Sequence, residues 1–442
     1  MSKNGTESKN KTRNKSYRKF TVAILLILLI AAYMLNILFF DNSAAIDPKA
    51  RAESEKILRN ELAYFLEKEP NELTEEDYTN IKEFSINESN FSDVSTLSKM
   101  HNLEVLHLSN LELKDIGPLN KLKKLHTLYL GIISVPQREM PRWITYLNKC
   151  GIIDISKKEI IDLSPLRKMD NLKKLTLFCT DMKDCKQLGK LKNLDSLTLE
   201  YTEIRDIGGL SKLTNLKHLC LEGQHISNIE PLSKTINLES LTLFNTKVTD
   251  IKPLAKLNKL KNLNLQHINS PDIEALGEIT NLETLNMTYL KVKDISPLQN
   301  LKHLKELTLL VVHDFDSKPL ANLKSLQKLN LSMSKNVDLT FISGLTSLES
   351  LDLSNADVND ISFLSGLTKL KTLNLNKTSI HDITPLENLT NLERLEIEHT
   401  KVSDLSPLMK LKNLESVSLG GSPVSEEQKA ELRKALPKTN IH

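Results

Sequence analysis

The chain has 442 residues, 40% hydrophobic but only 5% aromatic and 26% charged, with 13 Gly, 15 Pro and 4 Cys. That balance excludes collagen-like, disulfide-scaffold and disordered chains and leaves a folded protein with a sizeable apolar core. The net charge of +3 is unevenly placed: Lys3, Lys9, Lys11, Arg13, Lys15, Arg18 and Lys19 against Glu7 make residues 1–19 +6, and the remainder sums to −3, so no basic stripe awaits a nucleic acid.

Residues 1–19 read as a basic cytoplasmic tail. The run Phe20 to Phe40, FTVAILLILLIAAYMLNILFF, is uncharged, and 21 residues at about 1.5 Å each span the roughly 30 Å of a bilayer's hydrocarbon core. It is therefore expected to form one transmembrane helix, a signal anchor, with the lipid bilayer as a partner. The basic cluster before it predicts an N-terminus held inside the cytoplasmic membrane. The chain after Phe40 is then extracellular or periplasmic. A cleaved signal peptide with a small-x-small site at Ser43 and Ala45 stays open as the alternative.

Residues 41–80 read as a juxtamembrane stretch and helical cap. Lys49 to Glu69 places Ile57, Leu58, Leu62, Phe65 and Leu66 on one side of a helix that stops before Pro70. From Ile81 the chain repeats with a period of 22 residues, as in Leu370, Leu373, Leu375, Ile380, Asp382, Ile383, Pro385, Leu386 and Leu389. Units start at Ile81, Leu103, Leu125, Cys150, Leu172 and every 22 residues to Leu392, giving fifteen repeats over 81–413 and a terminal strand at Leu414. The unit beginning at Leu125 is 25 residues long and carries the only Trp, Trp143. Such periodicity predicts an α/β solenoid in which each unit buries its apolar edge only by stacking on its neighbours. Sixteen strands form a parallel concave sheet, and the short return path predicts tight turns or 3₁₀ segments on the convex side. Residues 414–442 close the array with a strand and a cap helix, opened by a capping box at Ser425 and Gln428 and ended by Pro437.

The Leu-x-x-Leu-x-Leu strand and the Asp-Ile-x-Pro-Leu turn resemble the leucine-rich repeats of bacterial internalin-type proteins. The resemblance covers Ile81 to His442, and extends to Asn71–Asp77 and Ser425–Ile441 as N- and C-terminal caps. It implies adhesion or receptor binding. No Leu-Pro-x-Thr-Gly sorting signal follows the array, and the family's usual turn Asn is mostly Thr here, as at Thr180, Thr202, Thr246, Thr378 and Thr400.

Aspartate recurs at position 13 of the units, from Asp93 to Asp404, with Asn228 once in its place. A carboxylate ladder invites a metal reading, but Asx bonding to nearby backbone N–H groups explains it better, since an amide oxygen accepts as a carboxylate does. Cys150 and Cys185 fall at core positions, whereas Cys220 faces out of the sheet and Cys179 lies past its strand; no disulfide is expected. His218, Cys220 and His267 lack the spacing of a metal or thiol-nucleophile site, so neither cofactor nor enzyme activity is expected.

The scarce aromatics cluster on outward columns. Phe178, Glu200, Glu222, Phe244 and Gln266 share one column, and Tyr201, His267 and Tyr289 share the next. Aromatic anchors beside charged companions suit a surface that binds a protein or peptide. A receptor-like sensor acting with a membrane partner is the alternative function.

Overall fold

Alternating Leu at repeat positions 4 and 6 can bury both side chains only if the backbone between them is extended, so each unit begins with a short strand. The structure, a computed structural model, describes residues 47–442 except 88–89, 110–112, 114, 132–161, 179–181, 183, 224, 269, 271, 290–291, 293 and 311–313. The chain divides into two units, Met1–Glu53 and Ser54–His442, and the solenoid lies in the second.

Among the described residues, sixteen parallel strands pair strictly in sequence order. They are β1 (Glu83–Ile86), β2 (Val105–Ser109), β3 (Thr127–Gly131), β4 (Lys174–Phe178), β5 (Ser196–Glu200), β6 (His218–Glu222), β7 (Ser240–Phe244) and β8 (Asn262–Gln266). Then follow β9 (Thr284–Asn286), β10 (Glu306–Thr308), β11 (Lys328–Asn330), β12 (Ser350–Asp352), β13 (Thr372–Asn374), β14 (Arg394–Glu396), β15 (Ser416–Ser418) and β16 (Asn440–Ile441). Strands β2 to β8 run five residues and β9 to β15 only three. Short polar side chains at position 5 assist the narrowing: Asn286, Asn330, Asp352 and Asn374 each accept the N–H two residues on, starting the turn early.

The core is a stack of identical layers. In one unit Leu238, Leu241, Leu243, Val248, Ile251, Leu254 and Leu257 are all at most 1% exposed. Each such burial contributes roughly 1.5–3 kcal/mol relative to exposure. On the convex side 3₁₀ turns return the chain, as at Lys252–Lys256 and Ser296–Asn300, with Pro at their start. Each is preceded by the repeating Asx: Asp250 Oδ1 accepts from Lys252 N at 2.9 Å, and Asn228 Oδ1 from Glu230 N at 2.8 Å. The ladder is thus structural, and no cluster able to hold a metal occurs among the described residues. A second ladder runs along the solenoid: Asn193, Asn215 and Asn237 at position 22 each donate to a carbonyl of the preceding turn.

Two features depart from the sequence reading. Thr127 pairs with Lys174, so β3 lies directly beside β4; the expectations for Cys150 and Trp143 lie outside the described residues. The sixteenth strand is instead β16, which pairs with β15 beyond the cap helix.

At the N-terminal side, helix α1 spans Pro48–Phe65, and its Leu58, Leu62 and Ala63 are buried. Phe65, expected on the buried side, is 58% exposed and meets Phe84 only edge-on, at 6.3 Å between ring centroids. Helix α2 (Glu75–Asn80) opens on a reciprocal Thr74–Asp77 box. Lys68 at 2.6 Å and the Thr74 amide hold the Asp77 carboxyl down at about 2. At the other end α3 (Glu426–Ala435) is capped by Ser425, but Gln428 does not reach back to complete the box. Its side-chain oxygen accepts from Leu405 N at 2.9 Å, tying the cap to the last repeat.

The expected single-pass placement is corrected. Among the described residues no helix is long and apolar enough to cross a membrane. The 18-residue α1 is interrupted by Lys49, Arg51, Glu53, Glu55, Lys56, Arg59 and Glu61. Phe20 to Phe40 lie outside the described residues, so the transmembrane helix, the lipid partner and the outside location have no structural support.

Candidate functional site

Parallel pairing in register turns each repeat position into a column across the sheet. At position 7 this places Phe178, Glu200, Glu222, Phe244 and Gln266 side by side on β4 to β8. Tyr201, His267 and Tyr289 follow one residue later, where the chain leaves the sheet.

That following residue adopts the left-handed conformation in most described units, as at Tyr201 (φ 51°), Asn245 (52°), His267 (53°), Tyr289 (58°), Met333 (61°), Asn355 (58°), Lys377 (57°), His399 (54°) and Gly421 (73°), but not at Gly223. The turn favours Gly or Asn, and a large side chain held there costs on the order of 1 kcal/mol. Tyr and His occupy it where the aromatic patch lies. The next position carries the repeated Thr: the hydroxyls of Thr378 and Thr400 donate back to the Leu375 and Ile397 carbonyls at 2.7 and 2.9 Å, whereas those of Thr202 and Thr246 are buried without a partner.

The predicted residues form two ring groups around an acidic centre. Phe178 and Tyr201 meet edge to face at 5.3 Å. On the other side Phe244 meets the His267 imidazole edge-on at 5.7 Å, and His267 stacks on Tyr289 at 4.4 Å with planes 19° apart. Gln266 is half-buried on β8 beside Phe244, without a ring to stack.

Between them Glu200 and Glu222 occupy neighbouring strands. Glu222 is 8% exposed. Burial pushes its carboxyl up to about 7, against the Tyr201 hydroxyl that donates to it and together with the Glu200 charge. Burial raises Glu200 as well. Cys220 Sγ lies 4.0 Å from Glu200 Oε1. Its thiol is pushed up to about 12 by burial, Glu200 and Glu222. A thiol so firmly protonated makes a poor nucleophile. Cys185 is fully buried, Cys185 and Cys220 are free, and Cys179 lies outside the described residues.

Sequence reasoning missed a cleft of about 560 Å³ on the edge where strands begin, lined by Glu239, Lys261, Glu283, His303 and Lys305 among others. Reading position 2 down the array would have found it, since the signs alternate from Glu239 to Lys305. Those charges largely serve each other, as in the Lys305–Glu283 pair at 2.7 Å.

The family model for leucine-rich repeats (2 copies) matches residues 192–234 and 346–388. No curated protein matches the chain. Among solved structures the chain is similar to an internalin (InlF) from Listeria monocytogenes, at 25% identity over 88% of this chain and 96% of that one, with a TM-score of 0.50. It is also similar to a leucine-rich repeat protein of Leptospira interrogans, at 20% identity over 83% and 97% of the two chains and a TM-score of 0.63. The functional domain of InlJ from Listeria monocytogenes matches at 19% identity over 81% and 77%, with a TM-score of 0.52. The chain thus carries leucine-rich repeats and is similar in fold to an internalin.

Proposed function

We propose that the protein is a non-catalytic recognition module that receives a protein or peptide segment on the concave face at Phe178, Glu200, Tyr201, Glu222, Phe244, Gln266, His267 and Tyr289. The observation that carries this reading is the aromatic grouping itself. In a chain with only 5% Phe, Trp and Tyr, four such rings and the His267 imidazole gather between β4 and β9, and Tyr289 remains 48% exposed. Three of them occupy a left-handed turn position that suits Asn or Gly better. Partly exposed Tyr and Phe anchors beside carboxylates are what a partner's side chains need for buried contact and orientation.

The test is site-specific photo-crosslinking with a photoreactive residue at Phe244, and separately at Lys318 on the convex side. Capture of one protein from Phe244 but not from Lys318, lost on adding Tyr201→Ala, supports concave recognition. Equal capture from both positions contradicts it.

A further inference from the structure

Charge on the concave face is one-sided. The two central columns, from Ser85 to Ser418 and from Asn87 to Gly420, hold Glu200, Glu222, Asp352, Glu396 and Glu398 but no Lys or Arg, in a chain with 59 of them. Lysine appears only toward the edges, as at Lys174 and Lys328 where strands begin. At the aromatic patch the asymmetry is sharpest. Glu222 is more than nine-tenths buried, Glu200 stands on the adjacent strand, and no cationic side chain among the described residues acts on either. The Tyr201 hydroxyl is the group that meets Glu222. It supplies a dipole, not a counter-charge, to two carboxyls about one strand spacing apart.

Resting on the concave-face reading above, we propose that the bound segment contributes an arginine whose guanidinium lies over the Glu200 and Glu222 carboxyls, between the Phe178–Tyr201 pair and the Phe244–His267–Tyr289 group. Three features of the patch match that side chain. Carboxyls on adjacent strands face a planar fork with five donors, which can bond both at once. Rings on either side offer faces and edges on which a guanidinium stacks with cation–π attraction, strengthened as the site dries. Cys220 on β6 stays neutral and adds no charge of its own to the patch. An acidic or phosphorylated segment would bring its charge against two carboxyls with no cation beside them to offset it. A lysine satisfies the charge but not the two-carboxyl geometry.

The test uses the full chain and a displayed library of random dodecapeptides, counter-selected against the Tyr201→Ala/Phe244→Ala chain so that the retained peptides depend on the rings. Retained peptides are expected to share an arginine. Exchanging it for glutamine should weaken binding roughly ten- to a hundred-fold, as loss of a charge-assisted contact does. Exchanging it for lysine should weaken binding less. Glu222→Gln and Glu200→Gln should each reduce affinity for the arginine peptide but not for its glutamine counterpart. Ring-dependent peptides that lack a basic residue, or that bind Glu200→Gln/Glu222→Gln equally well, overturn the arginine assignment and leave the concave reading standing. A library yielding no ring-dependent peptide overturns both.

Discussion

The His267 imidazole lies flat against the Tyr289 ring, 4.4 Å between centroids, although both residues are held at positive φ, 53° and 58°. Two side chains from successive turns thereby build a wall at the edge of the sheet, on a backbone that Asn245 and Asn355 occupy with less strain. Tyr289→Asn is therefore expected to leave stability within about 1 kcal/mol of the parent, strain relief offsetting the lost stack. Partner binding should weaken nonetheless. Thermal melting alongside affinity measurement checks this, and a large fall in melting temperature would mean the ring is a structural support.

Glu222 gives the protein a specific pH signature. Its carboxyl titrates at about 7 in the fold against an ordinary 4.5, so between those values the native state keeps a proton the unfolded chain has released. The resulting stability is fully present below about 4.5 and is lost as pH rises through about 7. Glu222→Gln should flatten that dependence and gain roughly 1–2 kcal/mol at pH 8, less than the whole shift implies because the site remains partly wet. Denaturant midpoints of both proteins at pH 5 and pH 8 provide the comparison. Parallel curves for parent and variant would show that Glu222 is not held protonated.

The Asx ladder predicts a split between two substitutions at one site. Asp250→Asn keeps the acceptor for Lys252 N, as Asn228 does for Glu230 N, and should change stability by less than about 0.5 kcal/mol. Asp250→Ala removes it and should cost about 0.5–2 kcal/mol. Equal losses for both would point to a role for the charge, and calcium-dependent melting of the parent would revive the metal reading.

Packing predictions are larger. Leu243 is completely buried, and Leu243→Ala should cost roughly 2–5 kcal/mol. Gly209 has no room for a side chain, since an added Cβ would run into the Cys185 carbonyl oxygen. Gly209→Ala should therefore force the two turns apart at a cost on the order of 1–3 kcal/mol. An unchanged melting temperature for either would mean the turns are stacked differently.

Much of the solenoid was legible because a 22-residue period repeats the same local decision at Leu241, Leu263 and Leu285, and each copy tests the others. The Asx role was legible because Asn228 substitutes within the aspartate column. Exceptions to the period were not. Nothing within residues 125–171 alone says that Thr127 will pair with Lys174, because a strand's partner is set by what stacks beside it. Strand β16 was hidden for the same reason: Asn440–Ile441 is too short to show alternation and is extended by its bonds to β15. Phe65 misled because helical spacing marks a face, not how far the covering surface extends. Candidate site residues could be placed in columns from sequence, but the His267–Tyr289 stack and the Tyr201–Glu222 bond depend on side-chain directions set by the left-handed turn.

The most direct test of concave recognition is the affinity of a ring-selected peptide for the full parent chain and for Tyr201→Ala/Phe244→Ala, with melting curves recorded on the same samples. Loss of binding by roughly ten-fold or more, with cooperative melting intact, is the predicted result. Undiminished binding by the folded double variant would place recognition elsewhere on the solenoid and contradict the account.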